Sequence, residues 1–225
     1  MKNISLKKIT LVILPLVLLY GCTENDSINS NSIYGSGKIV SETREVNECN
    51  GIKISNYGNV YLTQDSVQKI RVEADDNIMD YVITKEQDGV LQVGLKDGSY
   101  SKITLNFYVS LKTISSLSIE GSGSILSENQ LTCDKLSTVI NGSGNIIVKG
   151  ESNYLYGVIN GSGNINAEKL TASKCDAVIN GSGACTLFVT DALNASINGS
   201  GTIIYYGKPP NVNTSISGSG SIVSK

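Results

Sequence analysis

Gly-Ser-Gly occurs seven times in this chain, starting at Gly35, Gly121, Gly142, Gly161, Gly181, Gly199 and Gly218. From Gly121 onward the steps are 21, 19, 20, 18 and 19 residues. The repeated unit is longer than the triplet: Ile140-Asn-Gly-Ser-Gly-Asn-Ile146, Ile159-Asn-Gly-Ser-Gly-Asn-Ile165, Ile179-Asn-Gly-Ser-Gly-Ala-Cys185 and Ile197-Asn-Gly-Ser-Gly-Thr-Ile203. A fixed period of this size marks one supersecondary unit stacked on copies of itself.

Alignment on the first glycine turns the repeat into columns. Ile119, Ile140, Ile159, Ile179, Ile197 and Ile216 stand two residues before it. Ile125, Ile146, Ile165, Cys185, Ile203 and Ile222 stand four after it, and Leu136, Leu155, Cys175, Leu193 and Val212 six before it. Apolar residues in steps of two are strand periodicity, and the segments are rich in β-branched residues. Each unit therefore reads as strand, glycine turn, strand. In a parallel solenoid, equivalent positions stack about 4.8 Å apart, so isoleucine falls on isoleucine. Asn141, Asn160, Asn180 and Asn198 would form an amide ladder. Asn-Gly is also a hairpin signal, but hairpins do not need the same Asn and Ser in every copy. A leucine-rich repeat would need an L-x-x-L-x-L pattern that is missing. The expected fold is all-β, a right-handed parallel β-helix with repeats of about 19 residues.

The N-terminal half keeps less of the pattern. Gly35-Ser-Gly-Lys-Ile39 and Ile54-Ser-Asn-Tyr-Gly-Asn-Val60 read as diverged coils. Strand signals continue at 69–74, 81–85, 90–95 and 102–109, with a hairpin turn at Gln87-Asp-Gly89. Residues 61–116 are expected to be an irregular β insertion, either continuous with the solenoid or packed on it, and 117–225 the regular repeats.

Residues 1–21 have the form of a lipoprotein signal peptide. Lys2, Lys7 and Lys8 precede an apolar run from Ile9 to Leu19, and Leu19-Tyr20-Gly21-Cys22 resembles a lipobox with Cys22 as the lipidation site. Cys22 and the polar stretch to residue 32 then read as an anchor and flexible tether before a domain at 33–225. Thr23 stands where some lipoproteins carry an inner-membrane retention Asp, which favours the outer membrane, facing either the periplasm or the cell surface. Cleavage would leave 15 basic and 20 acidic residues, with Arg at positions 44 and 71 alone. This balance argues against nucleic acid as a partner. Of the other cysteines, Cys175 and Cys185 fall in inward columns, and Cys133 is out of register with both, so the stacking supports no disulfide.

The chain resembles the bacterial GIN-domain family of auto-transporter adhesin heads, often carried on lipoproteins. The I-N-G-S-G-N-I units carry the resemblance, with Arg44-Glu-Val-Asn-Glu-Cys-Asn-Gly-Ile-Lys-Ile54, Val60-Tyr-Leu-Thr-Gln64 and Val72-Glu-Ala-Asp75, over residues 44–225. Cys49 departs from a position that is usually aromatic in the family. The resemblance implies a β-helical domain at the cell surface or in the periplasm, and brings no catalytic residue or ligand with it.

The chain has no histidine, which excludes Ser-His-Asp and Cys-His catalysis and the commonest transition-metal ligand. Glu128, Asp134, Glu151, Glu168, Asp176 and Asp191 fall mostly one per coil, as solvated turn positions do. Gly142-Ser-Gly lacks the third glycine of a dinucleotide loop, and no Asp recurs per turn as in calcium-binding rolls. No cofactor or metal is expected. The Asn-Gly-Ser sequons are read as structural corners. Tyr154 and Tyr156 flank inward Leu155 and so face outward, with Lys135 and Lys174 at matching positions in neighbouring coils; these four are the candidate ligand-binding residues. Tyr206 could lie similarly near the last coils. The expected function is a non-catalytic binding or adhesion module for a glycan or an envelope protein. The alternative is a polysaccharide lyase or glycosidase on the same fold, which would need two carboxylates in one groove.

Overall fold

The structure, a computed structural model, describes residues 32–225. The signal segment, Cys22 and the tether up to residue 31 lie outside the described residues. Eighteen strands follow in chain order. The first nine are β1 (Ile33–Tyr34), β2 (Ile39–Arg44), β3 (Gly51–Asn56), β4 (Asn59–Gln64), β5 (Lys69–Asp75), β6 (Val82–Gln87), β7 (Val90–Leu95), β8 (Tyr100–Ser101) and β9 (Leu105–Leu111). The rest are β10 (Ser116–Gly121), β11 (Ser124–Ser127), β12 (Leu131–Gly142), β13 (Asn145–Gly161), β14 (Asn164–Gly181), β15 (Ala184–Gly199), β16 (Thr202–Tyr206), β17 (Asn211–Gly218) and β18 (Ser221–Ser224).

Two parallel ladders make a β-solenoid, with five full turns between Gly121 and Gly218. One face stacks β7, β3, β10, β12, β13, β14, β15 and β17. A second face stacks β9, β4, β11, β13, β14, β15, β16 and β18. Strands β13 to β15 bend through corners and join both. The columns expected from the repeat are the core. Val93, Ile54, Ile119, Ile140, Ile159, Ile179 and Ile197 form one buried line, and Phe107, Val60, Ile125, Ile146, Ile165, Cys185 and Ile203 another. Burying each such side chain contributes about 1.5–3 kcal/mol.

The two glycines of each corner do different work. Gly161 has φ +131°, and a Cβ there would lie 2.4 Å from the Gly142 carbonyl oxygen. A Cβ on Gly163 would meet Ile140 Cγ2 at 2.6 Å and the Gly144 carbonyl at 2.7 Å. The first therefore needs glycine for backbone conformation as well as for space, the second for close approach of the coil below. Ser162 between them is exposed. The asparagine ladder forms: Asn160 donates to Asn141 at 2.7 Å, Asn180 to Asn160 at 2.8 Å and Asn198 to Asn180 at 3.0 Å. The four cysteines at 49, 133, 175 and 185 are buried free thiols; Cys133, opposite Ser152 in the next coil, is an inward residue outside both cysteine-bearing columns.

The stretch 61–116 is more regular in space than in sequence. Strands β7 and β9 form a coil in register with β3 and β4, but on its outer side, so chain order and stacking order differ. A boundary at residue 61 falls inside β4. Beyond this coil the pairing turns antiparallel: β6 on β7, β5 on β9 and β2 on β5. The turn at Asp88–Gly89 has both residues at positive φ (53° and 77°), as a type I′ hairpin turn requires. Buried Asp75 ties this end together, accepting backbone N–H bonds from Gly37 at 2.6 Å and Thr104 at 2.7 Å.

Candidate functional site

A cleft of about 510 Å³ lies on the corner row of the solenoid, where the repeat gives way to the capping end. Asn56, Tyr57, Asp97, Tyr100, Lys102 and Ser122 line it. Register places Asn56 under Gly121, the first glycine of the next coil's motif. Tyr57 thus holds the position that carries an exposed serine in every regular coil, and it is 41% exposed. On the far side, the segment from Lys96 to Thr104 replaces the glycine triplet as the link between β7 and β9.

Local bonds hold the walls. Asn56 has φ +71°, a left-handed conformation that asparagine tolerates, and its amide donates to the Leu95 carbonyl at 3.3 Å. Lys102 has φ +51°, which is uncommon for a lysine. Strain of this kind persists only where the surroundings enforce it. Tyr100 donates its hydroxyl to the Lys96 carbonyl at 2.9 Å and packs edge-on against Tyr81, with ring centroids 5.9 Å apart. Burial, then the nearby Tyr81 and Asp97, push the Tyr100 phenol up from its ordinary value, so it stays neutral and a donor. The cleft therefore combines aromatic surface with a carboxylate, an ammonium, an amide and a hydroxyl. Asp97 is the one carboxylate in its lining, whereas glycoside hydrolysis generally employs two. Among the described residues no group of three or more Cys, Asp or Glu side chains could hold a metal ion.

The four candidate residues read from the sequence come together elsewhere, on the outer side of the β12–β13–β14 ladder. Lys135, Tyr154 and Lys174 stand in one row across β12, β13 and β14. Tyr156 stands in the next row between Ser137 and Asp176, 40% exposed. It borders a shallow depression of about 340 Å³ with Asp176, Asn194 and Asn213. Tyr154 is committed internally: its hydroxyl donates to Asp176 Oδ2. That bond, then burial, pushes its phenol up to about 12. Tyr206 pairs with Phe188, away from this row.

A third aromatic group lies on the flat outer face of the second ladder. Tyr61 and Tyr108 stack with centroids 5.0 Å apart, and the Arg71 guanidinium sits 3.9 Å from the Tyr108 ring centre. Arg71 also pairs with Glu73. The two faces of Tyr108 are thus covered by its own neighbours, and the stack braces β5 against β9 and β4. The sequence reading missed the cleft. One signal was present: Tyr57 interrupts the glycine triplet in the diverged coil 54–60, at the position of its serine.

The fold and these surfaces define a repeat-built β-solenoid with an open cleft and no assembled catalytic constellation in that cleft. The family described as "Putative auto-transporter adhesin, head GIN domain" matches residues 48–209, and the chain belongs to it. A putative adhesin from Bacteroides fragilis NCTC 9343 has a similar structure, with a TM-score of 0.72 and 25% identity over 86% of this chain and all of that one. A putative adhesin from Parabacteroides merdae ATCC 43184 has a TM-score of 0.56 and 21% identity, covering 87% of this chain and 99% of that one. A structure from Parabacteroides distasonis ATCC 8503 called a putative lipid binding protein has a TM-score of 0.55 and 24% identity, covering 87% and 100%. The last two show likeness of fold. No curated protein matches the sequence. The chain is an adhesion-type module.

Proposed function

We propose that this chain is a non-catalytic adhesion module of a lipid-anchored cell-envelope protein, and that it holds a hydroxyl-rich ligand of the glycan type in the Tyr57–Tyr100 cleft. The carrying observation is the exposed Tyr57 ring at the mouth of a cleft that also presents Asp97, Asn56 and Ser122. An aromatic face stacks on the apolar side of a sugar ring, and the flanking polar groups meet its hydroxyls. The test is binding of the full chain, in detergent, to a glycan array, beside Tyr57→Ala and Asp97→Asn. Tyr57 is exposed, so its truncation leaves folding intact. Binding that falls about tenfold in Tyr57→Ala, as loss of an aromatic anchor costs about 1.4 kcal/mol or more, supports the cleft. Equal binding by the three proteins removes it, and release of reducing ends by the wild type moves the case to an enzyme.

A second surface has a specific observation in its favour: Lys135, Tyr154 and Lys174 share one row, and Tyr156 borders a depression next to it. A Tyr154→Ala/Tyr156→Ala variant that loses binding while Tyr57→Ala retains it assigns the ligand, glycan or envelope protein, to that face. Anchoring is tested at Cys22. Cys22→Ala is expected to move the chain out of the outer-membrane fraction and to remove lipid mass from its N-terminus; unchanged fractionation refutes the anchor.

A further inference from the structure

The two ends of the stack are finished differently. At one end β2, β5 and β6 run antiparallel to the strands beneath, and β2 and β6 carry Glu42, Arg44, Lys85 and Glu86. Charged side chains of this kind discourage further pairing. At the other end all eight residues of β17 are exposed. Val212 and Ile216, 38% and 46% exposed, continue the columns of buried Leu193 and Ile197, and among the described residues no strand pairs above them. Strands β17 and β18 carry no ionisable side chain. Such an edge offers unpaired N–H and C=O groups together with apolar side chains.

We propose that a second copy of this chain covers that edge, through a two-fold antiparallel pairing of β17 with its counterpart centred on Thr214. The register follows from the centre. Val212 lies opposite Ile216, and Thr214 opposite Thr214. Alternate residues share a face, so Val212, Thr214 and Ile216 of both copies point into one continued interior. On the outer side Asn213 meets Ser215. Asn213 gives its amide to Asn194 Oδ1 at 3.0 Å, which leaves its own Oδ1 as an acceptor toward the open end. The Ser215 hydroxyl of the second copy supplies the donor.

Symmetry and charge select a second copy as the occupant. Around Thr214 the strand reads the same in side-chain class both ways: polar at one step, β-branched and apolar at two. That is the self-complementarity an isologous contact needs. A chain with more acidic than basic residues meets itself here with no like charges opposed. A head-to-tail filament would instead set this edge against the charged strands β2 and β6, so the assembly closes at two. The pairing leaves the Tyr57 cleft, near the opposite end, open in both copies.

The test uses the full chain in detergent, in a Cys22→Ala background, where the remaining native thiols are buried. The wild-type edge is expected to sediment as a dimer. Ile216→Lys, on an already exposed position of the last coil, is expected to be a folded monomer with an unchanged circular dichroism spectrum. Thr214→Cys should form a disulfide-linked dimer on mild oxidation, and adding Ile216→Lys should reduce that product about tenfold or more by placing a charge in the seam. A monomer at every concentration overturns the proposal. So do a dimer that Ile216→Lys leaves intact, and higher oligomers in which Thr214→Cys fails to crosslink.

Discussion

The regular coils from Ser116 onward and the segment from Ser32 to Leu111 are built on the same two ladders, yet they use sequence differently. In the regular coils chain order is stacking order, and each inner coil meets a near-copy of itself above and below. Identity is then rewarded, column by column, in isoleucine, asparagine and glycine. In the N-terminal segment the coil of β7 and β9 lies outside β3 and β4, and β2, β5 and β6 turn antiparallel over it. A capping coil has different neighbours on its two sides, so repetition has no advantage there. The departures make the cleft: Asn56 and Tyr57 replace Gly and Ser, and a longer link replaces the triplet. The cleft arises where the repeat ends.

The sharpest way to break this comparison is inside the repeated core. Ile159→Asp places a carboxylate in a column with no exposed surface. It is expected to cost about 4 kcal/mol or more, whereas Ser162→Ala at the exposed corner stays within about 0.5 kcal/mol. Urea denaturation measures both, and equal midpoints would mean that inward and corner positions are misassigned. A step lower comes Gly161→Ala, expected to cost about 2–4 kcal/mol because φ is +131° and a backbone oxygen stands 2.4 Å from the new carbon. Gly157→Ala is its control. There the nearest atom is 3.5 Å away, and neighbouring Ala177 and Ala195 already carry a methyl group in the same column. It should be neutral or stabilising by about 0.5 kcal/mol. In the capping half the corresponding test is Asp75→Asn. Two backbone N–H groups point at its oxygens, and an amide can satisfy one of them. A loss of about 1–3 kcal/mol is expected; no loss would mean that Asp75 does not staple the cap.

These contrasts also explain what the sequence could and could not reveal. Columns such as Ile140–Ile159–Ile179 were legible because a parallel stack makes sequence period and spatial neighbour the same thing. The inward cysteines at 175 and 185 were legible for the same reason. The place of β7 and β9 outside β3 and β4 was not, since period-two alternation identifies a strand without naming its partner. At the candidate surfaces, parity correctly turned Tyr154 and Tyr156 outward and register set Lys135 and Lys174 beside Tyr154. The bond from Tyr154 to Asp176, 22 residues away, left no local trace. Tyr57 needed knowledge of which triplet had diverged and what lay across from it, and that depends on the permuted coil.

The smallest expected effects concern pH: the lowered carboxylates lie in the capping half alone, whereas raised thiols and phenols lie in both halves. Burial pushes the Cys133 thiol up to about 11 and the Cys185 thiol up to about 12, and raises Cys175 well above its ordinary value. All three lie in the regular coils; Cys49 in the capping half is raised as well. A thiol held protonated in the fold contributes stability that is complete below the unfolded value near 9, and that is lost as pH rises toward the folded one. Base should therefore loosen the stack. The lowered carboxylates lie between residues 48 and 86. Lys112 lowers Glu48, Arg71 lowers Glu73, Ser36 and then Lys38 lower Asp76, and the Gly89 N–H lowers Glu86. Their stabilisation is present above the unfolded value near 4.3 and fades as pH falls through the folded ones. Because Glu48 is exposed and the other three are only half-buried, solvent screens them and the change is slight. Amide exchange read peptide by peptide, corrected for intrinsic rates, checks both arms. Acid should reduce protection in residues 32–111 more than in 131–199, and base above pH 9 should reduce protection in both. Loss of protection in the regular coils first, on going to acid, would show that the cap and the stack do not divide their electrostatics in this way.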